Sequence, residues 1–370
     1  MEYMHIDRNI EGKVQALSDQ IGELCLGFIE RGYFPSCTVR VFDAERTLYA
    51  GAFGANYLPK TSGAGSGKTP VNIDTAYDMA SCTKIATATQ ILLMMEEGKL
   101  SLETGLVEAL DEIKDYPHLY ERTKDVTLYQ LLTHTSGILD WYPFYVQRGK
   151  DFYQVFDSFI GDTPIMDHMV YSDMNFMLLG KVLEKMKGKN LKGCQEDLKQ
   201  LLGARRMDYQ PESLENTAPS CYGNDIEEHM VAERGLIFRG WRSKNRPTIG
   251  VNDGNAHYYF DDAAGHAGII ADAESYEKLC RLYMTSEGLM LKRSMDRAEE
   301  NRGLGWQLDE KMYPGGCGHT GFSGSWIWID REDGIGAVAL TNRLAFPVRH
   351  ATNTNEFRRS LAGLIYQAIH

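Results

Sequence analysis

The segments that read as strands lie near the two ends of this chain, with a long helical stretch between them, and that order restricts the fold more than any other feature. Near the start, CTVRVFDAERTLYAGAFG (37–54) is rich in β-branched and aromatic residues and breaks at 44–46, as two short strands joined by a turn would. Near the end, GLGWQLD (303–309), SGSWIWID (323–330) and GIGAVALTN (334–342) have the same character and are followed by a helical pattern at 355–370. Residues 81–97, 127–134 and 174–188 between them carry helical patterns. The arrangement predicts one sheet assembled from both chain ends, helices packed against it, and a helical lobe inserted between. That gives a single domain over 1–370, with an α/β part at about 1–75 and 241–370 and a helical part at about 76–240.

With 370 residues, 43% of them hydrophobic, the chain is long enough to bury a substantial core. Its net charge of −12, with no Lys/Arg-rich run, argues against nucleic acid or an anionic membrane as a partner, since both need a basic face. Ile10, Val14, Leu17, Ile21, Leu24 and Phe28 recur at helical spacing among charged residues, so the N-terminal stretch predicts an amphipathic helix and not a secretory signal. No apolar run approaches the roughly 20 residues of a membrane span. Seven cysteines without a CxxC pair indicate neither a disulfide framework nor a zinc ribbon, and a cytoplasmic location is expected.

Two motifs mislead. SGAGSGKTP (62–70) resembles a phosphate-binding loop, but the first required glycine falls on Ser62, and Pro70 and Val71 stand where the helix should begin. A surface loop is expected there. GFSGS (321–325) misses the G-x-S-x-G elbow by its last residue.

DMASCTKIATATQILLMMEEG (78–98) reads as an apolar helix carrying one lysine, Lys84. Its neighbours a turn away are Ala80, Ser81, Thr87 and Ala88, so no carboxylate of the same helix can pair with it. Ser81, three residues earlier, shares its face. A lysine kept neutral by desolvation, in the near absence of local counter-charges, would serve as the base that activates Ser81. Tyr171-Ser172-Asp173 opens a helical segment, and His319-Thr320-Gly321 sits where a strand is expected to begin.

In this chain order, S-x-x-K, Y-S-D and H-T-G resemble the motifs of the β-lactamase-related serine hydrolases: class C β-lactamases, DD-carboxypeptidases, D-aminopeptidases and esterase relatives. VTLYQLLTHTSGI (126–138), GVNDGNA (250–256) and AGHAGI (264–269) are similar to further family segments. The resemblance implies an α+β fold with an antiparallel sheet flanked by helices and an inserted all-helical subdomain, the active site lying between them. It implies Ser81 as nucleophile, Lys84 as its base, Tyr171 as proton shuttle to the leaving group, and the amides of Ser81 and Phe322 as oxyanion hole. Asp173, His319, Thr320, Gly321 and His266 are the expected substrate-binding residues, with Asp253 beside them; for His266 and Asp253 the alternative is a buried, hydrogen-bonded histidine and a turn aspartate. His134 is expected to be structural, its ring bonded to nearby backbone, and Cys82 a small apolar filler. WYPFY (141–145) is a candidate pocket wall or loop packing. No cofactor or metal is implied, and the partner is a small-molecule ester or amide.

Two positions depart from the family pattern. Asp173 stands where an asparagine is common, and His319 where β-lactamases carry a lysine. Both changes predict poor reception of an anionic β-lactam, and Asp173 favours a substrate with a free amine, such as a D-amino-acid amide. The expected activity is that of an esterase or D-amino-acid peptidase with weak or no β-lactamase activity. The alternatives are a true class C-like β-lactamase or DD-carboxypeptidase, and a catalytically silent ligand-binding protein.

Overall fold

The computed structural model describes residue 13 and residues 16–59, 66–346 and 353–370. Helix α1 (Ser18–Glu30) buries Ile21, Cys25 and Phe28, with Leu17 buried just before it, as the apolar spacing predicts. Ile10 and Val14, which begin that pattern, lie outside the described residues.

Strands β1 (Ser36–Asp43), β2 (Thr47–Pro59) and β3 (Ser66–Pro70) come from the N-terminal side, and β4 (Cys317–Thr320), β5 (Trp326–Asp330) and β6 (Ile335–Thr341) from the C-terminal side. They form one antiparallel sheet in the order β3-β2-β1-β6-β5-β4. The two chain ends meet where β1 pairs with β6, from Cys37 opposite Thr341 to Asp43 opposite Ile335. The tight connection of β1 to β2 is held by Asp43, whose carboxylate accepts the N–H groups of Glu45 and Arg46 at 2.8 and 2.7 Å.

Alternation along the strands divides the core. Val39, Val41, Trp326 and Trp328 pack with α1 and with Phe357 and Leu361 of α5 (Asn355–Ile369). Phe42, Ile327, Ile329, Val338 and Leu340 face the other way, into a cluster holding Tyr276, Leu279 and Tyr283 of α4 (Ala273–Thr285). That second cluster continues into helices α2 (Thr83–Glu96) and α3 (Asp173–Lys187). Helix α2 is buried on nearly all sides, which is why its sequence is apolar all round.

Three local expectations are corrected. The segment expected to be a surface loop contributes β3, so Gly67 and Lys68 lie in an edge strand paired with β2; residues 60–65 are outside the described residues. GLGWQLD forms no strand: Gly305 is left-handed (φ +88°), its N–H donates to Leu132 O, and Trp306 is buried against Tyr283 at 4.9 Å between ring centres. The aromatic residue there fills the core. His319 and Thr320 end β4, and the next strand begins only at Trp326. Among the described residues no helix is long and apolar enough to cross a membrane, and the seven cysteines are unbridged.

Candidate active site

The turn that presents Ser81 is strained and pinned. Ala80 lies in the left-handed region at φ +45°, a conformation costing an L-residue about 1–2 kcal/mol. Asp78 holds it by accepting the Ala80 N–H at 3.0 Å on one oxygen and the Asn252 N–H at 3.0 Å on the other. Burial pushes the Asp78 carboxyl up to about 6, although both amides oppose that shift. From the loop after β4, the hydroxyls of Ser323 and Ser325 donate to the carbonyls of Asp78 and Met79, each at 2.7 Å.

Lys84, wholly buried on α2, donates from Nζ to Ser81 Oγ at 3.0 Å, to Asp173 Oδ1 at 2.7 Å and to the carbonyl of His266 at 3.3 Å. The last contact exists because Gly265 lies tight against α3, where an added Cβ would meet Phe176 O at 2.1 Å. The expectation of a neutral, unpaired lysine is therefore overturned. Burial acts against its charge, but the Asp173 carboxylate and then Tyr171 outweigh it and hold the amine above the ordinary lysine range. The counter-charge comes from another helix, where local sequence could not show it.

Tyr171 sits in a cage of rings and cations. Lys84 Nζ is 4.8 Å and Arg302 Cζ 5.0 Å from its ring centre, and the His134 ring is 4.7 Å away. His134 is structural, as expected. Its backbone is left-handed (φ +62°), its Nδ1 accepts the Ser172 N–H at 3.0 Å, and burial keeps its ring neutral, well below the usual histidine value. Cys82 is fully buried beside Ser81, with its thiol pushed up to about 12 by burial.

A cleft of about 560 Å³ opens over Ser81 and is lined by Tyr171, Asp173, Asp253, Thr320, Gly321 and Phe322, among others. Gly321 admits no side chain, since a Cβ would lie 1.9 Å from Ser325 Oγ and 2.6 Å from Met79 O. Arg358 of α5 braces this loop, donating to the carbonyls of Gly321 and Ser325 at 2.7 and 2.9 Å. Among the described residues the Phe322 N–H makes no hydrogen bond within this loop, while the Gly321 N–H is taken by Ser325 O.

Two expected substrate contacts are corrected. His319 is fully buried beneath the cleft, its ring 6.1 Å from Tyr171, its Nδ1 on the Thr320 carbonyl at 2.9 Å, and burial keeps it neutral. Strand alternation turns its side chain inward, opposite Ile327. His266 is also buried. Its Nε2 lies 3.0 Å from Asp253 Oδ1, and Asp253, the residue in front, lines the cleft. Asp253 also caps a short helix, accepting the Ala256 N–H at 2.8 Å. Its carboxyl is lowered, because His266 outweighs the effect of burial. Ligand atoms of Asp173, Asp253 and His266 lie within 4.8 Å of one another, but the Lys84 ammonium on Asp173 disfavours a cation at that point.

The profile of the Beta-lactamase family matches residues 6–359. The chain belongs to the Beta-lactamase family. It is 25% identical over 351 residues to an N-acetylmuramyl-L-alanine amidase of Bacillus subtilis, covering 85% of this chain and 78% of the relative. In fold it is similar to EstCE1, a hydrolase with promiscuous acyltransferase activity, with a TM-score of 0.69, 18% identity and coverage of 96% and 98% of the two chains. It is equally similar to a class C beta lactamase, at a TM-score of 0.70, 18% identity and 98% and 99% coverage.

In this member of the Beta-lactamase family, several cleft residues have no signal in the sequence. Arg302, Arg343 and Arg358 are among the residues that line it, so the absence of a lysine at 319 does not leave the cleft without positive charge. Glu227 lines it as well, accepting the Gly254 N–H at 2.7 Å and the Tyr145 hydroxyl at 3.0 Å. Burial, with Asp253 adding to it, raises its carboxyl to about 8. Of the WYPFY cluster, Trp141 lines the cleft, whereas Phe144 and Tyr145 are buried in packing.

Proposed function

We propose that the protein hydrolyses small esters or amides through an acyl-enzyme on Ser81, in the manner of an esterase or D-amino-acid peptidase, and that it turns over β-lactams weakly. The observation that carries this reading is the chain of contacts Ser81–Lys84–Asp173 at 3.0 and 2.7 Å at the floor of the cleft.

Lys84 begins as an ammonium. It passes one proton to Asp173 and accepts the Ser81 hydroxyl proton as Oγ bonds to the substrate carbonyl carbon. The carbonyl π pair moves onto oxygen, which the amides of Ser81 and Phe322 receive; one such donor is worth about 3–4 kcal/mol to the transition state. Collapse breaks the bond to the leaving group, which takes its proton from Tyr171. Lys84 then reprotonates Tyr171 and recovers its own proton from Asp173, so the net transfer runs from Ser81 to the leaving group. Water attacks the acyl-enzyme by the reverse route, releasing the acid and restoring Ser81.

The anionic Asp253 suits a free amine on the acyl portion. A β-lactam presents an acylated amine there, and Asp173, with one oxygen committed to Lys84, has no donor to offer its carbonyl. Intact-mass analysis after a fluorophosphonate tests the reading: one adduct on Ser81 in the wild type and none in Ser81→Ala supports it, and equal labelling of both refutes it.

A further inference from the structure

The loop that carries Asn252 and Asp253 into the catalytic cleft has a second cavity behind it. Asn252 and Asp253 line the cleft, whereas Gly250, Val251 and His257, on either side of that pair, line a separate pocket of about 260 Å³. That volume is a little under the roughly 300–1,000 Å³ of ordinary ligand sites, so it suits a small molecule. Leu214 and Ile249, with the buried Val251 and Ile270, form its apolar wall. Of its lining residues only Arg242, His257 and Asp262 carry a charge or can take one.

The polar side of the pocket is held in place by the backbone. Asp261 and Asp262 are both left-handed, at φ +51° and +61°, a conformation uncommon for residues other than glycine. The Asp262 N–H donates to Ala256 O at 2.8 Å, and the Asp262 carboxylate lies 2.7 Å from His257 Nδ1. Among the described residues His257 Nε2 makes no hydrogen bond. Arg242 is anchored on one side: Nη1 donates to Asn252 O at 3.3 Å and to Cys221 Sγ at 3.7 Å, and Cζ stands 5.5 Å from the Tyr258 ring centre. Among the described residues it makes no ion pair, and Nε and Nη2 have no acceptor.

We infer that this pocket is a second binding site, for a small carboxylate with an apolar body held between Arg242 and His257, and that its occupancy slows acylation of Ser81. With His257 protonated, two cations face the single charge of Asp262, and one added carboxylate balances the set. Guanidinium and imidazolium both give it charge-assisted hydrogen bonds, which a neutral amide cannot match. The site stands whether or not Ser81 is a nucleophile; its effect on Ser81 rests on the proposed hydrolase reading. Asn252 joins the two. Its carbonyl accepts from Arg242, its N–H donates to Asp78, and Asp78 holds the Ala80 turn. The Arg242 charge also opposes the burial that raises the Asp78 carboxyl. An anion that takes up Arg242 weakens both links and loosens the turn that presents Ser81.

Calorimetric titration with sodium benzoate, and with benzamide as its neutral counterpart, tests the site. The wild type should bind benzoate with a Kd of about 1 mM or tighter and benzamide about tenfold or more weakly, the size of one charge-assisted hydrogen bond. Arg242→Gln should weaken benzoate by about tenfold or more. Leu214→Trp fills the apolar side and leaves Arg242 and its bond to Asn252 in place, and it should weaken benzoate by as much. Saturating benzoate should slow fluorophosphonate labelling of wild-type Ser81 by about fivefold, the low end of coupling between sites. Labelling of Leu214→Trp should be as fast as that of the wild type and indifferent to benzoate, which shows a folded variant and separates this pocket from blockage of the cleft. Absence of benzoate binding, equal affinity for benzoate and benzamide, or binding that neither variant weakens overturns the site. Binding without slower labelling overturns its link to Ser81. Failure of Ser81 to label in the absence of benzoate would instead remove the hydrolase reading, with the site still decided by calorimetry.

Discussion

Lys84 and Asp173, 89 positions apart in the sequence, meet at 2.7 Å with the ammonium wholly buried. Asp173→Asn keeps the shape and removes the charge, so burial then dominates and the Lys84 amine falls from its raised value. If Asp173 is the proton acceptor of the relay, the variant acylates about 100-fold more slowly than the wild type at pH 6. Its rate then climbs with pH as Lys84 sheds its proton to solvent. Stopped-flow acylation between pH 6 and 9 reads this, and a profile parallel to the wild type rules the relay out.

Lys84→Arg keeps the positive charge but cannot give up a proton at working pH. Acylation of Ser81 should fall by about 10³-fold, within the range of a lost general base. Near wild-type turnover in a variant with an unchanged circular dichroism spectrum would reduce Lys84 to a fixed charge.

Ala80 sits at φ +45° with its side chain buried. Ala80→Gly relieves the left-handed strain and leaves stability within about 1 kcal/mol of the wild type, gained strain relief offsetting lost chain stiffness. Ala80→Val places a β-branched residue there and should cost about 2 kcal/mol or more. Urea unfolding of the two variants compares them directly; equal midpoints would contradict the observed turn.

Glu227 has a carboxyl raised by burial from 4.5 to about 8. The folded state thus holds a proton that the unfolded state releases near pH 4.5, and stability declines as pH rises from about 5 to 8. The slope is on the order of 1 kcal/mol per pH unit. Glu227→Gln keeps one acceptor for Gly254 and should flatten that decline; chemical denaturation at pH 5, 6.5 and 8 measures it, and the same slope in both proteins would assign the decline elsewhere.

Activated esters should be turned over faster than β-lactams. Comparison of kcat/KM for p-nitrophenyl acetate and a chromogenic cephalosporin on one preparation checks this. Cephalosporin hydrolysis at about 10⁵ M⁻¹s⁻¹ or above, an ordinary enzymatic value, with weak ester turnover would make the protein a β-lactamase in practice.

What the sequence shows of the site is what local spacing can show. Ser81 and Lys84 are three residues apart, and their contact at 3.0 Å follows from position alone. Partners supplied by distant segments are invisible to that logic, and so the Asp173 counter-charge and the Arg302 cation beside Tyr171 emerge only from tertiary structure. Motif residues also mislead about exposure: His266 and His319 belong to recognisable segments, yet backbone geometry turns both rings into the interior. The sheet was legible in outline from β-branched and aromatic runs. Gly67 and Lys68 were not, because the edge strand SGKTP (66–70) carries no apolar alternation and is held by backbone pairing with β2.

The bond from Ser323 to the Asp78 carbonyl joins positions 245 residues apart. During synthesis, therefore, the Ser81 turn emerges long before the residues that pin it. At that stage β1 lacks its β6 neighbour, and the carbonyls of Asp78 and Met79 lack both serine hydroxyls. Such non-local closure is slow compared with helix formation. A nascent or truncated chain bears Ser81 and Lys84 without the Arg358 brace on Gly321, so the reactivity of that serine is a direct report on whether the two halves of the sheet have come together.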